Sequence, residues 1–172
     1  MTRLNKAYIP FRGYFSSPFC RWQGSMANEN SIVLGATTAN RWLIKNNFDP
    51  IIFDYLYFGI TVAQHHLFYG HTWAAAMFVN GVKNLPACLI SQACTTSTTC
   101  IYLAALNIEL GISQTVFTLM TDRCSNGPHT VWPNPLGPGG EVESENWMMD
   151  NFNRDPWAGE AMIKTAENVA KE

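Results

Sequence analysis

Leu85-Pro-Ala-Cys-Leu-Ile-Ser-Gln-Ala-Cys94-Thr-Thr-Ser-Thr-Thr-Cys100 runs from a short apolar segment through a small loop into a helix-like stretch. Pro86 to Ile90 reads as a buried strand. Thr95 to Leu110 reads as a helix that Gly111 ends. A thiol at Cys94, near the helix start, would face unpaired backbone N–H groups and the positive end of the helix dipole. Both favour thiolate over thiol and predict an activated nucleophile. The same pattern fits a small buried hydrophobe, as many free cysteines are, and local sequence alone favours that plainer reading. Residues 95–99 include four threonines, which are weak helix formers, so their hydroxyls are expected to bond backbone or line a pocket.

On the N-terminal side, Phe53 to Ile60 (FDYLYFGI) is a β-branched and aromatic run that reads as a strand. Ser31 to Asn46 carries Ile32, Val33, Ala36, Ala39, Leu43 and Ile44 at helical spacing, ending before Pro50. Thr61 to Gly70 reads as a loop. Thr72 is placed to cap a helix over Trp73 to Asn80, with Gly81 to end it. The aromatic-rich Lys6 to Phe15 allows a short strand that Pro10 confines to an edge. On the C-terminal side, Thr115 to Met120 reads as a further strand. Alternating strands and helices predict βαβ units in an α/β fold with a mainly parallel sheet. From Cys124 to Gly140 the chain is rich in Asn, Gly and Pro, and PNPLGPGG breaks regular structure. The tail ends in a helix-like Gly159 to Lys171. The expected organisation is therefore a core over 1–123 and a second unit beginning at 124–172 that stops short.

The 172 residues are 47% hydrophobic and 14% charged with a net charge of −2, which allows a substantial core. No basic run interleaves with aromatics, so nucleic acid is not an expected partner. The longest apolar stretch, Trp73 to Val79, is far short of a membrane span, and a secretory signal is not expected, since Pro10, Arg12 and Gly13 follow Arg3 and Lys6 where an apolar run would stand. Five unclustered cysteines (Cys20, Cys88, Cys94, Cys100, Cys124) without a CxxC pair suggest free thiols in a reducing cytoplasm. His65, His66 and His71 fit no strong zinc spacing, so a metal site is not expected.

Several segments, in order, resemble the thiolase family. Ser91-Gln-Ala-Cys94-Thr-Thr-Ser97 is similar to the family's Asn-x-x-Cys-x-Ser-Gly motif around its nucleophile. Ser17-Pro-Phe-Cys-Arg-Trp-Gln-Gly-Ser25 resembles the N-terminal Arg-Thr-Pro-Phe-Gly-Arg-Phe-x-Gly-Ser loop. Trp73 to Gly81 matches the Ala-rich helix before the cysteine strand, and Ala104 to Gly111 resembles Ala-Ala-x-x-Ile-x-x-Gly. Ser125-Asn-Gly-Pro128 is similar to the segment opening the family's loop domain, and Met162 to Ala170 is close to its Met-Gly-x-Thr-Ala-Glu-Asn-Val-Ala. The resemblance implies a layered αβαβα fold and an oligomer. It also implies acyl transfer on 3-oxoacyl-CoA thioesters, with Cys94 as the acyl carrier and coenzyme A as substrate, not a covalently bound cofactor. His66, Ser97, Cys124 and Asn126 are the candidate substrate contacts. Residues 124–172 would open the coenzyme-A-binding loop domain.

Two departures stand out. Leu119-Met120 replaces a family Gly-Gly, and Ser97-Thr98 stands where the family has Ser-Gly. The family's Gly-His-Pro, Cys-x-Gly and Asn-Glu-Ala-Phe motifs, which supply the activating histidine, the second cysteine and an oxyanion-hole water, are not found in the 172 residues. Activity is therefore expected to need a separate chain carrying the C-terminal half; the other reading is a non-catalytic subunit or scaffold in a larger acyl-CoA enzyme complex. Asp122 and Arg123 read as a local pair or as substrate contacts, with a surface ion pair the simpler account, Cys88 as core, and Cys100 as lying on the helix face away from Cys94.

Overall fold

The computed structural model describes residues 3–78 and 84–172. Its centre is a three-stranded parallel sheet of β1 (Tyr55–Gly59), β2 (Ala87–Ile90) and β3 (Val116–Met120), in the order β2-β1-β3. The central strand holds Phe58 opposite Leu89 on one side and Leu119 on the other. Strand β1 is apolar at almost every position because both its faces are covered. Leu56 and Phe58 pack against Ile32, Ala39 and Leu43 of α1 (Ser31–Lys45) and Ala74 and Ala75 of α2 (Gly70–Phe78). Tyr57 faces Cys100 and Ala104 of α3 (Thr96–Glu109) on the opposite side. The result is helix, sheet, helix in three layers, which is the expected α/β class.

The chain steps from β1 to β2 through α2, then crosses back over β1 to β3 through α3. Reversing direction while keeping right-handed crossovers forces the two helices onto opposite faces. The loops leaving β1 and β2 therefore diverge, and a crevice opens at the carboxyl ends of the strands, where ligands of open α/β sheets bind.

Local chemistry sets the element ends. Asn30 caps α1 by accepting from the backbone N–H of Ile32 (2.9 Å) and Val33 (3.3 Å). Gly111 ends α3 at φ +71°, a conformation that suits glycine. Helix α2 begins at Gly70, before the expected Trp73. Thr72 lies inside it, donating its hydroxyl to Tyr69 O at 3.0 Å instead of capping. The expected helix end at Asn80 and Gly81 lies outside the described residues.

Two further expectations are corrected. Lys6 to Phe15 forms no strand. The backbone N–H groups of Asn5, Lys6 and Ala7 instead converge on Glu109 Oε1, at 2.7, 2.6 and 2.9 Å, at the end of α3. The Pro- and Gly-rich region contains an antiparallel hairpin of β4 (His129–Pro133) and β5 (Val142–Asn146), with Trp132 opposite Glu143. Both strands are largely exposed, so neither shows the alternation of a half-buried strand. Helix α4 (Trp147–Asn153) follows at once, its Asn146 cap accepting from Met149 N at 3.0 Å. The tail helix α5 is shorter than expected, Met162–Val169. Among the described residues no helix is long and apolar enough to cross a membrane.

Candidate active site

Strand β2 ends at Ile90, and the next four residues make a tight turn. Ala93 sits at φ +46°, a left-handed conformation that costs a non-glycine residue about 1–3 kcal/mol and persists only where surroundings enforce it. They do so here through hydroxyls. Ala93 O accepts from Thr96 Oγ1 at 2.8 Å and Thr61 Oγ1 at 3.1 Å. Thr96 Oγ1 also accepts from Gln92 N at 2.8 Å. Thr95 Oγ1 donates to Gln92 O at 2.8 Å, and Thr99 Oγ1 bonds the Gln92 side-chain oxygen. The threonines that suit a helix poorly thus brace the turn before it, since short hydroxyl side chains readily bond nearby backbone.

Cys94 is the next residue, and it is exposed. It belongs to the braced turn, not to the helix: α3 begins at Thr96, and Thr95 caps it without a side-chain hydrogen bond. The plainer reading of Cys94 as a buried hydrophobe is therefore overturned. Cys100 is the buried thiol, fully enclosed, with its pKa pushed up to about 11 by burial and then by Cys88.

Cys94 lines a cleft of about 260 Å³ at the carboxyl ends of all three strands. Gly59 and Thr61 come from the end of β1, Ala93 and Cys94 from the turn after β2, Thr96 and Ser97 from the first turn of α3, and Met120, Thr121 and Asp122 from the end of β3. Asp122 ties two walls together. Its carboxylate accepts from Val62 N at 2.8 Å and from Thr61 N at 3.2 and 3.1 Å. Although the residue as a whole is solvent-accessible, its carboxyl group is desolvated enough to titrate above the usual carboxylate range, with the N–H bonds pulling the other way.

The expected Asp122–Arg123 ion pair does not form. Arg123 turns the other way, donating from Nε and Nη2 to Gln64 Oε1 (3.0 and 2.9 Å) and from Nη1 to Ala27 O (2.7 Å). The Ala27 carbonyl and the Gln64 side-chain oxygen claim the guanidinium, and neighbouring side chains on an extended segment point apart.

Of the four candidate contacts, only Ser97 lines the cleft with Cys94. His66 stands apart in a left-handed conformation (φ +65°), its ring edge-on to Trp73 at 5.8 Å. Cys124 is exposed but outside the lining. Its thiol is pushed above the ordinary range, first by local desolvation and then by the Asp122 carboxylate. Asn126 fastens the N-terminal loop, accepting from Gln23 Nε2 at 2.9 Å and donating to Ala27 O at 3.1 Å and Asn28 Oδ1 at 3.2 Å. Among the described residues, no three His, Cys, Asp or Glu side chains gather as a metal site. Met120, Asp122 and Thr96, which the sequence marks as a departure from the family pattern, an ion-pair or substrate candidate and one of the pocket-lining threonines, also line the cleft; Gly59, Thr61 and Thr121 are cleft residues to which it assigns no site role. The available signal was positional: each lies at or just after a strand's carboxyl end, or at the start of the helix that follows.

Residues 15–172 match the family model described as the thiolase N-terminal domain. No curated protein sequence matches the chain. Among solved structures, human mitochondrial 3-ketoacyl-CoA thiolase in complex with CoA superposes with a TM-score of 0.80 at 20% identity, over 90% of this chain and 40% of that one. The Syntrophomonas wolfei acetyl-CoA acetyltransferase gives 0.69 at 23% identity, over 90% and 39%. The Bacillus anthracis acetyl-CoA acetyltransferase gives 0.69 at 20%, over 87% and 38%. At these identities the likeness is one of fold, and the chain spans about two fifths of the length of these structures.

Proposed function

The chain belongs to the thiolase family by its N-terminal domain, and from that premise we propose that it is the cysteine-bearing half of an acyltransferase acting on 3-oxoacyl-CoA thioesters. The observation that carries the reading is Cys94 itself, an exposed thiol on a strained, hydroxyl-braced turn facing a cleft at the carboxyl edge of a parallel sheet. In the proposed step the Cys94 thiolate attacks the 3-oxo carbon and forms a C–S bond. The C2–C3 bond breaks, its electron pair leaves with the CoA-bearing fragment, and that fragment takes up a proton. The thiol of a second CoA then attacks the Cys94 thioester, the C–S bond to Cys94 breaks, the acyl group leaves as a CoA ester two carbons shorter than the substrate, and the proton given up by CoA returns Cys94 to its thiol.

Both halves of this reaction move a proton, and efficient turnover needs a base within hydrogen-bond reach. The cleft offers Asp122, which is engaged with two backbone N–H groups. The acid–base groups are accordingly assigned to a C-terminal half, on this polypeptide or on a partner chain. Residues 124–172 are assigned to the start of the coenzyme-A-binding loop domain. That segment holds three Lys or Arg residues against eight Asp or Glu. Cations for the phosphates of coenzyme A must therefore come largely from elsewhere in the assembled protein.

Alkylation with iodoacetamide across pH, read by peptide mass spectrometry, tests the reading, with Cys88 and Cys100 as internal references. Selective labelling of Cys94 that an acyl-CoA blocks, with the C-terminal half present, is the expected result. If Cys94 reacts no faster than Cys88 even in the assembled protein, and acyl-CoA protects nothing, the chain is a scaffold and the nucleophile assignment falls.

A further inference from the structure

The walls of the Cys94 cleft are short. Gly59, Thr61, Ala93, Thr96, Ser97, Thr121 and Asp122 carry nothing longer than a carboxymethyl group, and Met120 is the one long side chain among them. Most of the short residues are also fixed. Thr61, Ala93 and Thr96 are bound to one another, and Asp122 is held by two backbone N–H groups. The volume available beside Cys94 therefore depends on Met120 more than on any other lining residue.

Its placement follows from the sheet. Met120 is the last residue of β3 and the Cα partner of Gly59 on β1. Leu119 is turned into the core at 4% exposure, so alternation turns Met120 to the other side, where it is 38% exposed. A Cβ built on Gly59 would lie 3.0 Å from Met120 Cγ. The methionine thus lies over the bare backbone of Gly59 and occupies the floor that the glycine leaves open. The remaining cleft, about 260 Å³, falls below the roughly 300–1,000 Å³ of sites that hold drug-sized ligands.

We propose that Met120 sets the size of the group that can be carried on Cys94, admitting compact groups and turning away bulky ones. The proposal rests on the reading of Cys94 as the acyl carrier, but its test does not. Iodoacetamide and N-benzyl iodoacetamide share one chemistry: the thiolate displaces iodide, a C–S bond replaces C–I, and the thiol proton goes to buffer. Any exposed thiol reacts with both at mildly alkaline pH. The ratio of the two rates at Cys94 is therefore measurable whether or not Cys94 proves unusually reactive. Exposed Cys20 gives the reference ratio in the same sample.

In the unaltered chain the bulky reagent is expected to lag at Cys94 relative to Cys20. Met120→Ala should raise the Cys94 ratio about tenfold, the low end of what one hydrophobic wall contributes to discrimination, and leave Cys20 unchanged. Met120→Trp, tolerated at a partly exposed position, should lower the ratio and provides the test if the alanine variant folds poorly. An unchanged Cys94 ratio in a folded Met120 variant overturns the proposal. Absence of both selective Cys94 labelling and acyl-CoA protection in the assembled protein, with the ratio shifting as expected, would instead remove the acyl-carrier reading and leave Met120 as the wall of the cleft.

Discussion

Replacing Gly59 by alanine tests how tightly the nucleophile turn is tied to the core. The added Cβ would meet Thr96 Cγ2 at 2.9 Å, Cys100 Sγ at 3.0 Å and Met120 Cγ at 3.0 Å, all shorter than a relaxed contact. Met120 can swing into the cleft. Cys100 cannot, being fully buried in α3, and Thr96, 5% exposed, is held at its hydroxyl by Gln92 N and Ala93 O. Overpacking of this kind costs about 1–3 kcal/mol. The lost freedom of the unfolded glycine returns about 0.4–1 kcal/mol. The net expectation is a loss of about 1–2 kcal/mol, or a fall of about 0.5–1 M in the urea midpoint at an m-value of about 2 kcal/mol/M. Thr96→Ser removes the methyl that stands at 2.9 Å and keeps the hydroxyl. Adding it to Gly59→Ala should recover part of the loss, a coupling of at least about 0.5 kcal/mol in a double-mutant cycle. Equal or greater stability for Gly59→Ala, or strict additivity in the cycle, would refute the packing argument.

Three other perturbations follow from the same geometry. Thr96→Val keeps shape and removes the hydroxyl, leaving Gln92 N–H without its acceptor and Ala93 O without its shortest donor; urea titration should show a loss of about 1–3 kcal/mol. Asp122→Asn removes the negative charge from the Cys94 cleft, so the iodoacetate-to-iodoacetamide rate ratio at Cys94 should rise about three- to tenfold at low salt, less at 1 M salt, with no change in the ratio counting against a charged cleft. The three backbone N–H bonds to Glu109, with Lys6 adding a smaller attraction, hold its carboxyl below the usual carboxylate range. A depressed pKa stabilises the fold above the unfolded value of about 4.3, and this contribution disappears as pH falls through the lower folded value. The amide NMR shifts of Asn5, Lys6 and Ala7 should titrate together with a midpoint below 4.3, and a midpoint at or above it would contradict the tether.

The central fold was readable because burial on both faces leaves a strong mark. FDYLYFGI is apolar almost throughout because Leu56 and Phe58 meet α1 and α2 while Tyr57 meets α3. The helix Ser31–Lys45 announced itself by spacing, and α3 by its glycine stop. The β4–β5 hairpin was not readable. Its strands HTVWP and VESEN lie mostly in solvent and flank a breaker segment, so neither periodicity nor composition marks them. The N-terminal aromatics read as a strand because aromatic content favours strands. What holds that segment is a carboxylate more than a hundred residues away, and no local pattern encodes it.

Sequence by itself determined the alternation of strands and helices, the stop at Gly111, and a cysteine between a strand and a helix of threonines, because these depend on residues adjacent in the chain. Tertiary structure decided which residues share the cysteine's cleft. The order β2-β1-β3 brings the carboxyl ends of three strands together, and with them Thr61, Met120 and Asp122, which lie roughly thirty residues to either side of Cys94. It also decided that Arg123 leaves Asp122 for Gln64 and Ala27, and that Asn126 fastens a loop and stays out of the cleft. Hydrogen-bond partners and cleft walls are settled by through-space distance, and that distance follows from how the crossovers stack, not from neighbouring residues in the sequence.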